Sequence, residues 1–124
     1  MDTYIKQRLK LILLHHYDKY ACEPFYPERD IKALYDNFYD VVFCCNVLNV
    51  NDDNNLSLAI YDLHSMNCGT FVIQICEGNK SGNGGCTRDG YQRNEPAESY
   101  REIIHEVFGD STIERKGNVL LVTR

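Results

Sequence analysis

The sequence predicts an α/β fold: a three-layer sandwich with a mostly parallel sheet and a C-terminal antiparallel hairpin. Three observations carry this expectation. Two apolar runs of strand length, over 38–45 and 70–76, read as fully buried strands. Leu56, Ala59, Ile60 and Leu63, and later Ile103, Ile104, Val107 and Phe108, repeat at helical spacing between and after those runs, and strands that alternate with helices imply a parallel sheet covered on both faces. Finally, the turn Lys116-Gly117-Asn118 separates two strand-like stretches, which makes a closing hairpin.

Taken in order, residues 2–16 read as a helix. Asp2 or Thr3 can cap it, and Ile5, Leu9, Ile12 and Leu13 form its apolar stripe; residues 9–14 also fit a strand. A short strand follows over 19–23. The stretch EPFYPE, 23–28, is irregular, because each of its prolines disfavours helix at the preceding residue. Asp30 caps a helical turn over 31–35, and the buried strand 38–45 comes next. NDDNN, 51–55, supplies a loop and a helix cap, and the helix that follows runs to near Met66, where Asn67 and Gly69 stop it. After the strand 70–76, residues 78–90 hold five of the eight glycines and form a long loop. Pro96 suits the first turn of a helix that runs to Phe108, with Asn94 or Glu95 at its cap. The hairpin strands are 111–115 and 118–123.

A length of 124 residues bounds the chain to one domain, and 44% apolar content gives it a core without cross-links. The net charge of −5 speaks against a nucleic-acid backbone binder, which needs a basic face. It does not exclude a basic protein partner, which the carboxylates Asp36, Asp40, Asp52, Asp53, Asp62 and Glu77 could meet, although the same carboxylates read more simply as a solvated face. Six cysteines form no C-x-x-C, and His15, His16, His64 and His105 fall at no zinc spacing, so no metal is expected. Reduced thiols packed as small hydrophobes imply a cytoplasmic protein, and His105 reads as a half-buried packing residue. No secretory leader is expected, and the run 5–16 is too short and too charged to span a membrane.

The strand 38–45 gives way to amides at Asn46 and Asn49. Ligands of an open parallel sheet bind beyond the carboxyl ends of its strands, so these amides can face a crevice; equally, they can stop the strand as an Asx-turn. Glu23, Glu77 and Gln92 would likewise sit at or just past strand ends and could converge with Asn46 and Asn49 at that crevice; equally, Glu23 and Glu77 can be solvated strand termini, and Gln92 and Arg93 can anchor the long loop.

The stretch YDVVFCCNVLNV resembles the fourth-strand segment of class I S-adenosylmethionine-dependent methyltransferases, a Rossmann-like family. ACEPFYPE resembles that family's second strand, TFVIQICEG its fifth, the glycine loop with GYQRN a substrate-side insertion, and the closing hairpin its antiparallel sixth and seventh strands. The resemblance covers 19–124. It implies a role for Glu23 in binding the cofactor ribose, for Asn46 and Asn49 as catalytic positioning residues, and for Glu77, Gln92 and Arg93 as substrate- or partner-binding residues. The chain departs from the family where it matters most. The first strand and its glycine-rich cofactor loop are missing, since the first glycine is Gly69 and a close backbone approach to the cofactor needs glycine.

In the family the first strand lies between the second and the fourth, so its loss leaves one edge of 38–45 open. Residues 9–14, the strand near Tyr20, a second copy of the chain, or a partner's strand could close that edge. The expectation is therefore a truncated methyltransferase-like fold acting as a non-catalytic protein-binding module or homodimer, without cofactor. Its small size and acidity suit a phage or mobile-element inhibitor of a host defence enzyme such as a CRISPR effector. The alternative is an active S-adenosylmethionine-dependent methyltransferase, or a subunit of one, whose missing strand comes from a partner chain.

Overall fold

A computed structural model of the chain describes residues 35–88 and 90–124. The expected helix over 2–16, the strand over 19–23, the irregular EPFYPE and the candidate Glu23 lie outside the described residues, as does all but Tyr35 of the turn 31–35. Phe38–Arg124 forms one compact unit.

Its strands are β1 (Phe38–Tyr39), β2 (Val42–Cys45), β3 (Asn67–Cys68), β4 (Thr70–Gln74), β5 (Gly85–Thr87), β6 (Gly90–Gln92), β7 (Thr112–Lys116) and β8 (Val119–Thr123). Its helices are α1 (Asp53–His64) and α2 (Arg101–Phe108), with short 3-10 turns at Leu48–Val50 and Ala97–Tyr100. The order across the main sheet is β2-β4-β8-β7. β2 runs parallel to β4, whereas β8 is antiparallel to both β4 and β7. The unit is thus mixed α/β. Among the described residues the last strand is antiparallel to its neighbours, as expected, because the closing hairpin inserts its second strand beside β4.

The apolar run 38–45 is one strand with a break at Asp40-Val41. β1 pairs with β3 in parallel, Phe38 opposite Asn67, and β2 continues the same register against β4, from Val42 opposite Phe71 to Cys45 opposite Gln74. Register is conserved across the break because a one-residue slip would turn every core side chain outward. On the covered face Val42 and Cys44 of β2, Phe71 and Ile73 of β4, and Leu120 and Val122 of β8 are buried. Leu56, Ile60 and Leu63 of α1, and Ile104 and Phe108 of α2, pack onto them, and the rings of Phe71 and Phe108 meet edge to face at 5.1 Å. Each such side chain contributes about 1.5–3 kcal/mol when fully removed from water. The opposite face carries a second apolar row, Phe43, Val72 and Leu121, aligned by register and half-buried.

α1 starts three residues before its apolar stripe because Asp52 caps it, its Oδ1 accepting the Asn55 N–H at 3.0 Å. α2 ends at Gly109, whose φ of 66° and ψ of −126° suit glycine. His105 proves exposed, since it faces away from the Ile104–Phe108 stripe. Among the described cysteines all are free; Cys44 is buried, whereas Cys76 and Cys86 are exposed rather than packed. Burial, reinforced by the neighbouring Cys45, pushes the Cys44 thiol up to about 12, which leaves it inert near neutrality.

Candidate functional site

The carboxyl ends of β2 and β4 come together where the sequence places its candidate site. β2 stops at Asn46, which adopts a left-handed φ of 59° that asparagine tolerates; its N–H still reaches Gln74 O at 2.9 Å and closes the ladder. The Asn46 side chain is exposed. The chain then turns inward, burying Leu48 and Asn49 completely or nearly so, with Asn49 only 2% exposed.

A buried amide must have its hydrogen bonds made within the protein. Asn49 makes them with two distant segments. Its Oδ1 accepts the Cys76 N–H at 3.2 Å, its Nδ2 donates to Gln92 Oε1 at 3.1 Å, and its backbone carbonyl accepts the Arg93 N–H at 3.0 Å. Gln92 closes the ring by donating Nε2 to Cys76 O at 3.0 Å. Two side-chain amides thereby satisfy both polar groups of Cys76 just beyond β4, as a neighbouring strand would. On the other side, Asn118 treats Ile75 in the same way: its carbonyl accepts the Ile75 N–H at 2.9 Å and its Nδ2 donates to Ile75 O at 2.8 Å.

Arg93 extends the cluster. Its side chain is 12% exposed, and its Nη1 donates to Asp53 Oδ1 at 2.8 Å and to Asn51 O at 3.2 Å, while Nε donates to Glu95 Oε2 at 2.9 Å. Burial lowers the pKa of the guanidinium, but the bonds to Asp53 and Glu95 outweigh it and hold the pKa above its ordinary value. The guanidinium carbon also lies 5.9 Å from the Tyr100 ring centroid. Tyr100 is 1% exposed and its hydroxyl has no hydrogen-bond partner among the described residues; burial pushes it up to about 12.

Glu77 spans from the end of β4 to the next helical segment. Its Oε2 accepts the Ala97 N–H at 2.8 Å and its Oε1 pairs with Lys80 Nζ at 3.5 Å, so a residue distant in sequence supplies the cap expected of Asn94 or Glu95. The Ala97 N–H bond, assisted by Lys80 and opposed by partial desolvation, holds the Glu77 carboxyl below the usual range. Glu98 is likewise lowered by Arg101, which bonds it directly, and by Arg115 at 3.0 Å. A carboxylate depressed in the folded state stabilises that state fully above its unfolded pKa of about 4.3, and that contribution is lost as pH falls through the folded value. Thermal unfolding followed against pH is therefore expected to steepen below the ordinary carboxylate range. Glu77→Gln, which still offers an acceptor to Ala97 but cannot be protonated there, is expected to flatten that acid limb; an unchanged acid slope would show that Glu77 does not carry it.

Asn49, Gln92 and Arg93 are thus brought together and bonded to neighbouring protein groups, whereas Glu77 bonds Ala97 and Lys80, the Asn46 side chain is exposed, and Glu23 lies outside the described residues. The glycine-rich stretch contributes more than a loop. It contains the β5–β6 hairpin, and Asn94, at a left-handed φ of 56°, clamps it by accepting the Asn79 N–H at 3.4 Å on Oδ1, donating Nδ2 to Asn83 O at 3.1 Å and receiving the Gly82 N–H at 2.8 Å on its carbonyl. Gly78 lies against this clamp, since a Cβ there would stand 2.0 Å from Asn94 Oδ1. Sequence reasoning missed the hairpin, Asn94, Asn118 and Tyr100. The Asp89-Gly90 dipeptide was the available signal for the hairpin turn. Among the described residues no three His, Cys, Asp or Glu side chains gather as a metal site, and no helix is long and apolar enough to cross a membrane.

Comparison with family models, with curated proteins and with solved structures finds no match to this chain.

Proposed function

We propose that the chain is a non-catalytic protein-binding module on a methyltransferase-like scaffold, and that it docks a strand of a protein partner, or of a second copy, along the outer edge of β2. The carrying observation is the contrast between the two edges of the sheet. Among the described residues β2 and β7 are the edge strands. β7 is guarded by Glu114, Arg115 and Lys116, the charged side chains that keep sheet edges apart. β2, with the sequence VFCC, has none. Because Asn46 N–H points to β4, the alternation of a parallel ladder turns the backbone groups of Phe43 and Cys45 outward, ready for strand addition.

Three further observations support the scaffold reading. β8 is antiparallel to both its neighbours, as the closing hairpin of the resemblance implies. The apolar row Phe43, Val72 and Leu121 is what a third layer would cover. The open side of β2 is the side on which the family's first strand would lie. Non-catalytic action is favoured because Asn49, Gln92 and Arg93 are spent on holding the strand ends together. Within this reading the protein acts in the cytoplasm without S-adenosylmethionine, and a host defence enzyme such as a CRISPR effector, targeted by a phage or mobile element, is the partner class that size and acidity favour.

The test uses size-exclusion chromatography with light scattering, together with calorimetric titration of S-adenosylmethionine. The purified chain is expected to self-associate as its concentration rises, or to elute with a bound partner. Cys45→Pro removes one outward N–H and is expected to abolish that association while leaving the β2–β4 ladder and the melting temperature nearly intact. A strictly monomeric chain that binds S-adenosylmethionine at micromolar concentration would sink the proposal and favour the enzyme.

A further inference from the structure

We infer that Asn83 is a site of spontaneous covalent conversion, in which the backbone nitrogen of Gly84 attacks the Asn83 side-chain amide and leaves aspartate or isoaspartate in its place. Asn83-Gly84 is the single Asn-Gly pair in the sequence, and glycine puts no Cβ in the way of the five-membered ring that forms. Both residues are exposed. Among the described residues the Gly84 N–H donates no hydrogen bond and the Asn83 side-chain amide makes none, so nucleophile and electrophile are both free.

The surroundings go further than leaving them free. The attacking nitrogen belongs to the same peptide unit as Asn83 O, and Asn94 Nδ2 donates to that oxygen at 3.1 Å. When Gly84 N–H loses its proton, the negative charge spreads onto Asn83 O, where the Asn94 donor already stands. Asn83 N–H is meanwhile held by Ser81 Oγ at 3.1 Å, which fixes the residue before the reacting bond. Asn79, exposed in the same stretch, lacks this arrangement: the N–H that follows it, on Lys80, is donated to Glu77 O at 3.1 Å.

The chemistry balances with water alone. The bond from Gly84 N to Asn83 Cγ forms, the bond from Cγ to the amide nitrogen breaks, and ammonia leaves with the proton from Gly84. One water then opens the cyclic imide at either carbonyl. The net charge becomes one unit more negative than −5. Opening to isoaspartate also inserts a methylene into the backbone beside Gly84, where a Cβ would already stand 2.4 Å from Tyr91 Oη, so the product is expected to loosen the stretch that Asn94 clamps.

The test is peptide mapping by mass spectrometry after the folded chain has been held in warm, mildly alkaline buffer, with enzymatic isoaspartyl methylation as a second readout. The expected result is an amide-to-acid mass gain confined to the peptide that carries Asn83, with a matching acidic shift on ion exchange. Asn83→Gln is expected to reduce it to background, and Asn94→Asp, which removes the donor, to slow it several-fold. The inference is overturned if Asn83 stays intact while the excised peptide converts, or if Asn79 converts as fast. Should a variant fail to fold, the map of the unaltered chain decides alone.

Discussion

Asn49→Ala is expected to destabilise the fold by about 2–4 kcal/mol, read as a shift in the urea midpoint at unchanged slope. The residue is 2% exposed, and truncation strands two groups at once: the Cys76 N–H loses its acceptor and Gln92 Oε1 loses its donor. A buried group left without its partner costs more than the bond itself was worth, which is why this substitution outranks the loss of an exposed contact. Gln92→Ala is expected to cost about half as much, because Gln92 is only half-buried and water can replace it at Cys76 O. The double variant should cost less than the sum, since the first substitution already breaks the ring. A loss below about 1 kcal/mol for Asn49→Ala, with the fold intact, would mean that the amide serves something other than the strand ends.

Arg124→Ala is expected to lower stability by about 2–3 kcal/mol, a large effect for an exposed side chain. The guanidinium donates from Nε to Cys68 O and from Nη1 to His64 O, each at 2.8 Å, and from Nη2 to Met66 O. These carbonyls lie at the end of α1 and in the segment after it, where a helix leaves acceptors unsatisfied and favours positive charge. The same group lies over the rings of Phe71 and Phe108, at 5.1 Å and 5.5 Å, and so seals the rim of the core. Arg124→Lys should recover only a minor part, because one ammonium cannot span three carbonyls while lying flat on two rings. Full recovery by lysine would reduce the effect to charge alone.

The readable parts of the sequence were those whose physics is local. The strand within 38–45 was legible from its apolar run, and its register against β3 and β4 holds across the break at Asp40-Val41, but full burial is reached only at Val42 and Cys44, while Phe38, at 87%, and Asp40 are exposed. The cap at NDDNN and the turn at Lys116-Gly117-Asn118 were legible for the same reason. Gly117 takes the left-handed φ of 61° that such a turn requires. The antiparallel last strand was legible from the hairpin turn, whereas alternation of helix and strand is silent on which of the hairpin's two strands lies beside β4. The β5–β6 hairpin was hidden by its own exposure: with Gly85, Cys86 and Thr87 all facing water, it shows no apolar alternation to read. The candidate site was half legible. Strand-end position singled out Asn49, Glu77 and Gln92, of which Asn49 and Gln92 bond each other. What they bond depends on partners more than forty residues apart for Asn49 and Gln92, and no spacing rule reaches that far.

Cys76 combines two properties that rarely meet in one residue. Its peptide is locked on both sides by amides from elsewhere in the chain, yet its thiol is open to solvent. A spin label or fluorophore attached to that sulfur would therefore watch the β6 segment lift from the sheet while leaving the locking groups untouched. Deuterium uptake at the same residue's N–H would time the same motion from the backbone, so that one position carries two independent clocks for a single opening event.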